Sequence, residues 1–231
     1  EINITVTGGT ASYSYLWVAS NGGSLGANLA TTEDLTGLIP GDYTYTITDT
    51  NGCQETYTIT ITEPAASLAA TLAPTDVLCH GDATGAIDIT VTGGTPNYSY
   101  LWAASNGGSL GTNLATDEDL IGLIEGDYTC TIIDDNGCQE THTQTIIEPL
   151  APLTATSVAT NVLCHGDATG VIDIAVAGGT PIYSNYSWVA TNGGSLGTNL
   201  ATTDDLINLI SGDYTCTIID DNGCQAIHTQ T

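Results

Sequence analysis

The run Gly126-Asp127-Tyr128-Thr129-Cys130-Thr131-Ile132-Ile133-Asp134-Asp135-Asn136-Gly137-Cys138 decides the fold. Tyr128, Cys130 and Ile132 fall on one side of an extended chain and Thr129 and Thr131 on the other, which is the two-residue period of a strand with one buried face. Asp134-Asp135-Asn136-Gly137 then makes a hairpin turn, and Gln139 to Ile147 returns as the next strand. Upstream, Ile87, Ile89 and Val91 alternate with Asp88, Thr90 and Thr92. A Gly93-Gly94-Thr95-Pro96 turn leads into Tyr98, Tyr100 and Trp102, with Ser99 and Leu101 between them. The stretch from Leu110 to Ile124 is less regular and reads as loops around one or two short strands. Short strands separated by glycine turns predict a β-sandwich with one buried face per sheet.

The pattern repeats. Gly41-Asp42-Tyr43 and Gly212-Asp213-Tyr214 copy Gly126-Asp127-Tyr128, and Asn51-Gly52-Cys53 and Asn222-Gly223-Cys224 copy Asn136-Gly137-Cys138, at steps of 85 and 86 residues. Gly8-Gly9-Thr10, Gly93-Gly94-Thr95 and Gly178-Gly179-Thr180 recur at 85 both times, so the third unit holds one extra residue. It falls between Pro181 and Trp188 and reads as a β-bulge. Glu63-Pro64 and Glu148-Pro149 close the first two units, giving units at 1–64, 65–149 and 150–231. The first lacks the stretch matching Leu78 to Asp82 and the third stops before its Glu-Pro, so the expectation is an all-β tandem array of immunoglobulin-like β-sandwich domains with the first and last truncated.

Composition narrows the function. The chain has 231 residues, 26 Asp plus Glu and no Lys or Arg. Nucleic acid and anionic membrane surfaces are bound largely through Lys and Arg, which are absent, so neither is an expected partner. Arginine clamps and a P-loop lysine are equally excluded. No apolar run approaches the ~20 residues that span a bilayer, so membrane insertion of this segment is not expected.

Seven cysteines at positions fixed by a repeat, without a CxxC pair, indicate disulfides in an exported protein. Tyr45 stands where Cys130 and Cys216 stand in the other units, so the middle cysteine is dispensable. The favoured pairing is Cys79 with Cys138 and Cys164 with Cys224, with Cys53 bonded to a partner outside the chain and Cys130 and Cys216 buried as thiols. Cys79 with Cys130 is the rival, because a Tyr two residues before a bridged Cys is an immunoglobulin pattern. A bridge between adjacent units is a third arrangement.

The elements Cys79, Gly81, Gly85, then Gly93-Gly94-Thr95-Pro96, Tyr98-Ser99-Tyr100-Leu101-Trp102, Leu123-Ile124-Glu125-Gly126-Asp127-Tyr128, Asp135-Asn136-Gly137-Cys138 and Glu148-Pro149 together resemble the SprB repeat family. The resemblance covers all three units. It implies a long tandem-repeat cell-surface adhesin of Bacteroidetes-type bacteria, exported and associated with gliding motility.

Trp17, Trp102 and Trp188, one per unit at an alternating position, are expected in the core. Calcium is the one cofactor the acids suggest, through Asp134 and Asp135, Asp220 and Asp221, and Asp82, Asp88, Asp167 and Asp173, although none has EF-hand spacing. Asn3, Asn97 and Asn185 begin N-glycosylation patterns. His80, His142, His165 and His228 occupy turn or strand positions, and no nucleophile elbow accompanies any Ser or Cys, so an enzyme is not expected. The functional expectation is an extracellular structural stalk or filament of the cell surface, involved in attachment, whose partners are copies of itself. The alternative is a binding module whose Asn-Gly-Gly-Ser-Leu-Gly loops contact surface polysaccharide or another cell.

Overall fold

A computed structural model describes residues 1–183 and 185–231. Its contacts divide the chain into two compact bodies, Glu1–Ala65 and Ala66–Thr231. The first body holds β1 (Ser14–Ser20), β2 (Gly41–Thr48) and β3 (Gln54–Ile61). The second holds the other two repeats. One is built from β4 (Ala69–Thr75), β5 (Gly85–Thr92), β6 (Ser99–Ser105), β7 (Leu120–Leu123), β8 (Gly126–Ile133) and β9 (Gln139–Ile146). The other is built from β10 (Thr154–Thr160), β11 (Gly170–Ala177), β12 (Asn185–Thr191), β13 (Leu206–Leu209), β14 (Asp213–Ile219) and β15 (Gln225–Gln230).

In the middle repeat, antiparallel sheets of order β4-β5-β7 and β6-β8-β9 enclose one core. Ile87 and Ile89 from one sheet meet Trp102, Tyr128, Cys130 and Ile132 from the other, closed by Leu120, Leu123 and Ile146. Each large side chain so buried contributes roughly 1.5–3 kcal/mol. Outside, the threonines of β8 pair across the sheet with those of β9, Thr129 with Thr143 at 2.9 Å and Thr131 with Thr141 at 3.3 Å. The third repeat has the same layout, with sheets β10-β11-β13 and β12-β14-β15 around Ile172, Trp188, Leu206 and Tyr214.

Two recurring motifs have a steric cause. Gly126 has φ +149, and a Cβ on it would lie 2.2 Å from the nitrogen of Gly108. The Gly of Gly-Asp-Tyr is therefore obligatory where the chain crosses the Asn-Gly-Gly-Ser loop. Tyr128, two residues on, donates its hydroxyl hydrogen to the carbonyl of Ile124 at 2.9 Å and accepts from the Ser109 N–H at 3.2 Å. Tyr43 bonds Ile39 and Tyr214 bonds Ile210 in the same way, at 2.7 and 2.8 Å. This is the tyrosine corner of immunoglobulin-like sandwiches, present in each repeat.

In the first body, sheet β1-β2-β3 packs Trp17 and Tyr43 against Ile2 and Leu35, which form an isolated bridge. Tyr45, in the place of Cys130, lies tilted on Trp17 with ring centroids 5.0 Å apart, and Tyr57 stacks beyond it at 6.2 Å. In the third repeat β12 pairs with β14 without interruption from Asn185↔Ile219 to Thr191↔Asp213. A bulge is expected between Pro181 and Trp188, a stretch in which Ser184 lies outside the described residues.

Candidate functional site: the joint between repeats

The joint begins with a turn. Leu78-Cys79-His80-Gly81-Asp82 leaves β4 and enters β5, and is closed by the Asp82 N–H on the Cys79 carbonyl at 3.0 Å and the Leu78 N–H on Thr84 Oγ1 at 2.9 Å. Glu148 of the Glu-Pro linker grips this turn. One carboxylate oxygen accepts the Gly81 N–H at 2.6 Å, and the other lies 2.9 Å from His80 Nδ1. Asp76 accepts the Ile147 N–H at 3.0 Å and Val77 donates to the Ile147 carbonyl at 2.9 Å, so the linker is fastened on both sides of the turn.

The second half comes from the hairpin between β14 and β15. Asp220 is buried, and its carboxylate accepts the N–H groups of Asn222 at 3.1 Å, Cys224 at 2.8 Å and Thr180 at 2.8 Å. These bonds fix the hairpin so that Cys224 meets the turn of the preceding repeat. Cys79 and Cys224 form a disulfide with a Cα–Cα distance of 5.6 Å, and the Asn222 side-chain amide donates to the Leu78 carbonyl at 3.0 Å. A cavity of about 340 Å³ flanks the bond, lined by His80, Asp82, Leu153 and Gln225 among others.

This pairing corrects the expected one. Cys79 is bonded to Cys224 of the next repeat, while Cys138 and Cys164, expected in bridges within their own repeats, are free and exposed, as is Cys53. The reason is the length of a strand. Cys79 precedes β5, whereas the Cys138 hairpin is pinned to Thr95, which follows β5, by the Asp134 carboxylate at 2.9 Å. Eight extended residues span roughly 26 Å, and a disulfide needs Cα atoms within about 7 Å. Cys130 and Cys216 are buried free thiols, pushed up to about 11 by burial.

The acids proposed for calcium separate into two kinds. Asp134 and Asp220 are buried and engaged by backbone N–H groups; those of Thr95, Cys138 and Asn136 hold the Asp134 carboxyl below the usual carboxylate range. Asp82, Asp88, Asp135, Asp167, Asp173 and Asp221 are exposed. The structure brings no three His, Cys, Asp or Glu side chains into a metal-holding group among the described residues. Asn3, Asn97 and Asn185 are exposed, and Trp17, Trp102 and Trp188 are buried, each indole N–H donating to a loop carbonyl at 2.9–3.0 Å.

Sequence reasoning missed Glu148 as the grip on the turn, although the recurrence of Glu-Pro marks it. It also missed a contact between Ser157 Oγ and His228 Nε2 at 2.8 Å. Ser157 donates its hydrogen to Gln230 Oε1 at 2.9 Å and so accepts from the imidazole, the reverse of a nucleophile and its base. A second cavity, about 220 Å³ beside Val162, Ile172, Leu209 and Tyr214, sits where Ile146 packs in the middle repeat. It is core space without a cluster of reactive groups. Among the described residues no helix is long and apolar enough to cross a membrane.

Fold and joint define a class: tandem immunoglobulin-like β-sandwich repeats fastened covalently across a repeat boundary. Three segments, residues 1–23, 71–107 and 156–193, match the SprB repeat, a repeat of cell-surface proteins. No curated protein matches the chain. Among solved structures it is similar to the N-terminal eight Ig domains of Down Syndrome Cell Adhesion Molecule isoform 1.30.30, at 14% identity and TM-score 0.40, covering 94% of this chain and 32% of that one. It is also similar to a C-terminal fragment of intimin crystallised with the intimin-binding domain of its translocated receptor, at 16% identity and TM-score 0.37, covering 72% of this chain and 64% of that one. The chain thus spans about a third of the first and just under two thirds of the second.

Proposed function

We propose that this chain is a length of an extracellular, non-enzymatic rod at the cell surface, a stalk or filament that carries attachment. The observation that supports it best is the Cys79–Cys224 bond. A disulfide between sandwiches, backed by the Glu148 grip, limits bending at the repeat boundary, which suits a load-bearing array and an oxidising exterior. A formal charge of −26 copied along such an array keeps parallel rods apart at low salt. Labelling intact source cells with antibody to this chain, followed by electron microscopy, tests the reading. Label along extended rods outside the cell is expected; label confined to permeabilised cells overturns it.

A second reading rests on exposed apolar side chains beside the Asn-Gly-Gly-Ser-Leu-Gly loops, Leu114 and Ile121 in the middle repeat and Leu200 and Ile207 in the third. These suit contact with polysaccharide or another cell. Saturable glycan-array binding by the chain, lost when Leu114 and Leu200 are both changed to Ser, would favour a binding module over an inert rod.

A further inference from the structure

The joint disulfide borders a cavity. Cys79 is half-buried and Cys224 buried, and both line the space of about 340 Å³ between the two repeats. A space of that size takes a small molecule and excludes the bulk of another protein. Its wall carries the Asp82 carboxylate, the His80 imidazole and the Gln225 carboxamide.

The disulfide is not alone in holding the halves together. Asn222 donates to the Leu78 carbonyl at 3.0 Å, Glu148 accepts the Gly81 N–H at 2.6 Å, and Asp220 accepts the Cys224 N–H at 2.8 Å. None of these bonds needs the sulfurs to be joined. Cys224 Sγ also lies 3.3 Å from the Leu78 carbonyl oxygen, so a thiol at this position has an acceptor. The two cysteines therefore stay side by side when their bond is open, and closing it again is an intramolecular step.

We propose that the Cys79–Cys224 joint is a site of reversible exchange with small thiols, and that it takes neutral or cationic ones in preference to anionic ones. A small thiolate enters the cavity and attacks Cys79 Sγ, forming a mixed disulfide and releasing Cys224 as a thiolate, which takes a proton from water. A second small thiol attacks the outer sulfur of the adduct and leaves Cys79 as a thiol. Two electrons and two protons have then passed from two small thiols to the cysteine pair, and one small-molecule disulfide departs. The reverse sequence fastens the joint again. Selectivity comes from charge: Asp82 stands on the cavity wall of a chain with 26 acids and no Lys or Arg, so an anionic thiol is repelled with no such cation to offset it. The inference stands on the joint itself and is independent of the rod reading.

The test uses the full chain with Cys53, Cys138 and Cys164 changed to Ser, which leaves the joint beside the buried Cys130 and Cys216. It is treated at pH 8 with cysteamine, mercaptoethanol or mercaptoethanesulfonate. Each rate is divided by that of the same thiol on a neutral small-molecule disulfide, which removes differences in nucleophilicity. Expected are rates proportional to thiol concentration, adducts on Cys79 rather than Cys224, and a cysteamine rate roughly tenfold above that of mercaptoethanesulfonate at low salt. The ratio falls towards unity in 1 M salt, where the screening length is about 3 Å. Asp82→Asn narrows the low-salt ratio severalfold, whereas Asp88→Asn, outside the cavity, leaves it in place. Adding the matching small-molecule disulfide restores the bond. Rates independent of thiol concentration would mean that the bond is reached only by unfolding, and would overturn the proposal. So would adducts chiefly on Cys224, a low-salt ratio near unity, equal narrowing by Asp82→Asn and Asp88→Asn, or a bond that does not re-form.

Discussion

Cys79 is bonded to Cys224 across a repeat boundary, at a sequence separation of 145 residues. Each repeat keeps its own core, so the bond mainly couples two sandwiches that are each already closed. Cys79→Ser should therefore split one cooperative thermal transition of residues 66–231 into two. The chain-entropy treatment sets the loss at about 5 kcal/mol at most for a loop of this length. Calorimetry with and without reductant reads this directly, and an unchanged single transition after reduction would refute it.

Thiol chemistry should divide the five free cysteines sharply. Cys53, Cys138 and Cys164 are exposed, while Cys130 and Cys216 are buried and raised to about 11 because burial disfavours the thiolate. At pH 8 a chromogenic disulfide reagent should titrate three thiols quickly in the native chain and two more only after unfolding. Five rapid equivalents would mean that the β8 and β14 cores open readily.

Acid should act in two opposed steps. Lowering the pH from 7 towards about 4.5 neutralises part of the negative charge and relieves self-repulsion, so the melting temperature should rise. Below that the sign reverses. The Asp134 carboxyl is held low by the Thr95, Cys138 and Asn136 N–H groups. A group depressed in the folded state contributes stability that is present above its unfolded pKa, about 3.9, and lost as the pH falls through its folded value. The melting curve should therefore peak between about pH 4 and 5 and fall below it. In Asp134→Asn the fall below pH 4 should be shallower, because one carboxylate no longer has to be protonated.

The tyrosine corner offers a test confined to one atom. Tyr128→Phe keeps the ring in the core but leaves the Ile124 carbonyl and Ser109 N–H without their partner. The cost should be about 1–3 kcal/mol. The equivalent change at Tyr214 acts on a separate core, so the double variant should lose the sum of the two singles within about 0.5 kcal/mol. Chemical denaturation of each variant checks both figures.

Much of this architecture is legible in the residues. The alternation Tyr128, Cys130, Ile132 against Thr129, Thr131 names the buried face of β8, and each turn motif lands on a turn because it answers a local need, such as the backbone crossing at Gly126 and Gly108. The disulfide was not legible from spacing, since spacing does not say at which end of a sandwich a cysteine lies. Counting strands does: one strand between Cys79 and the Gly-Gly-Thr turn to which the Cys138 hairpin is tied sets them a strand length apart. Glu148 acts on the Gly81 N–H and Asp134 on the Thr95 N–H, partners 67 and 39 residues away that only folding brings close, so Glu-Pro and the Asp-Asp-Asn-Gly turn mark the residues without naming what they hold.

The two histidines facing the middle cysteines separate packing from hydrogen bonding in a single comparison. In the third repeat His228 Nε2 donates to Ser157. In the middle repeat the position of Ser157 is held by Leu72, which packs on the core, and His142 Nε2 is buried with no hydrogen-bond partner, 3.5 Å from Glu140 Oε1. Ser157→Ala should cost about 1 kcal/mol by stranding the His228 N–H. At Leu72 both Ala and Ser remove apolar contacts, but Ser also supplies an acceptor that His142 lacks. Leu72→Ser should therefore be more stable than Leu72→Ala by about 1 kcal/mol, the reverse of the order expected at an ordinary apolar site. Equal stability of the two variants would show that His142 meets its needs from solvent.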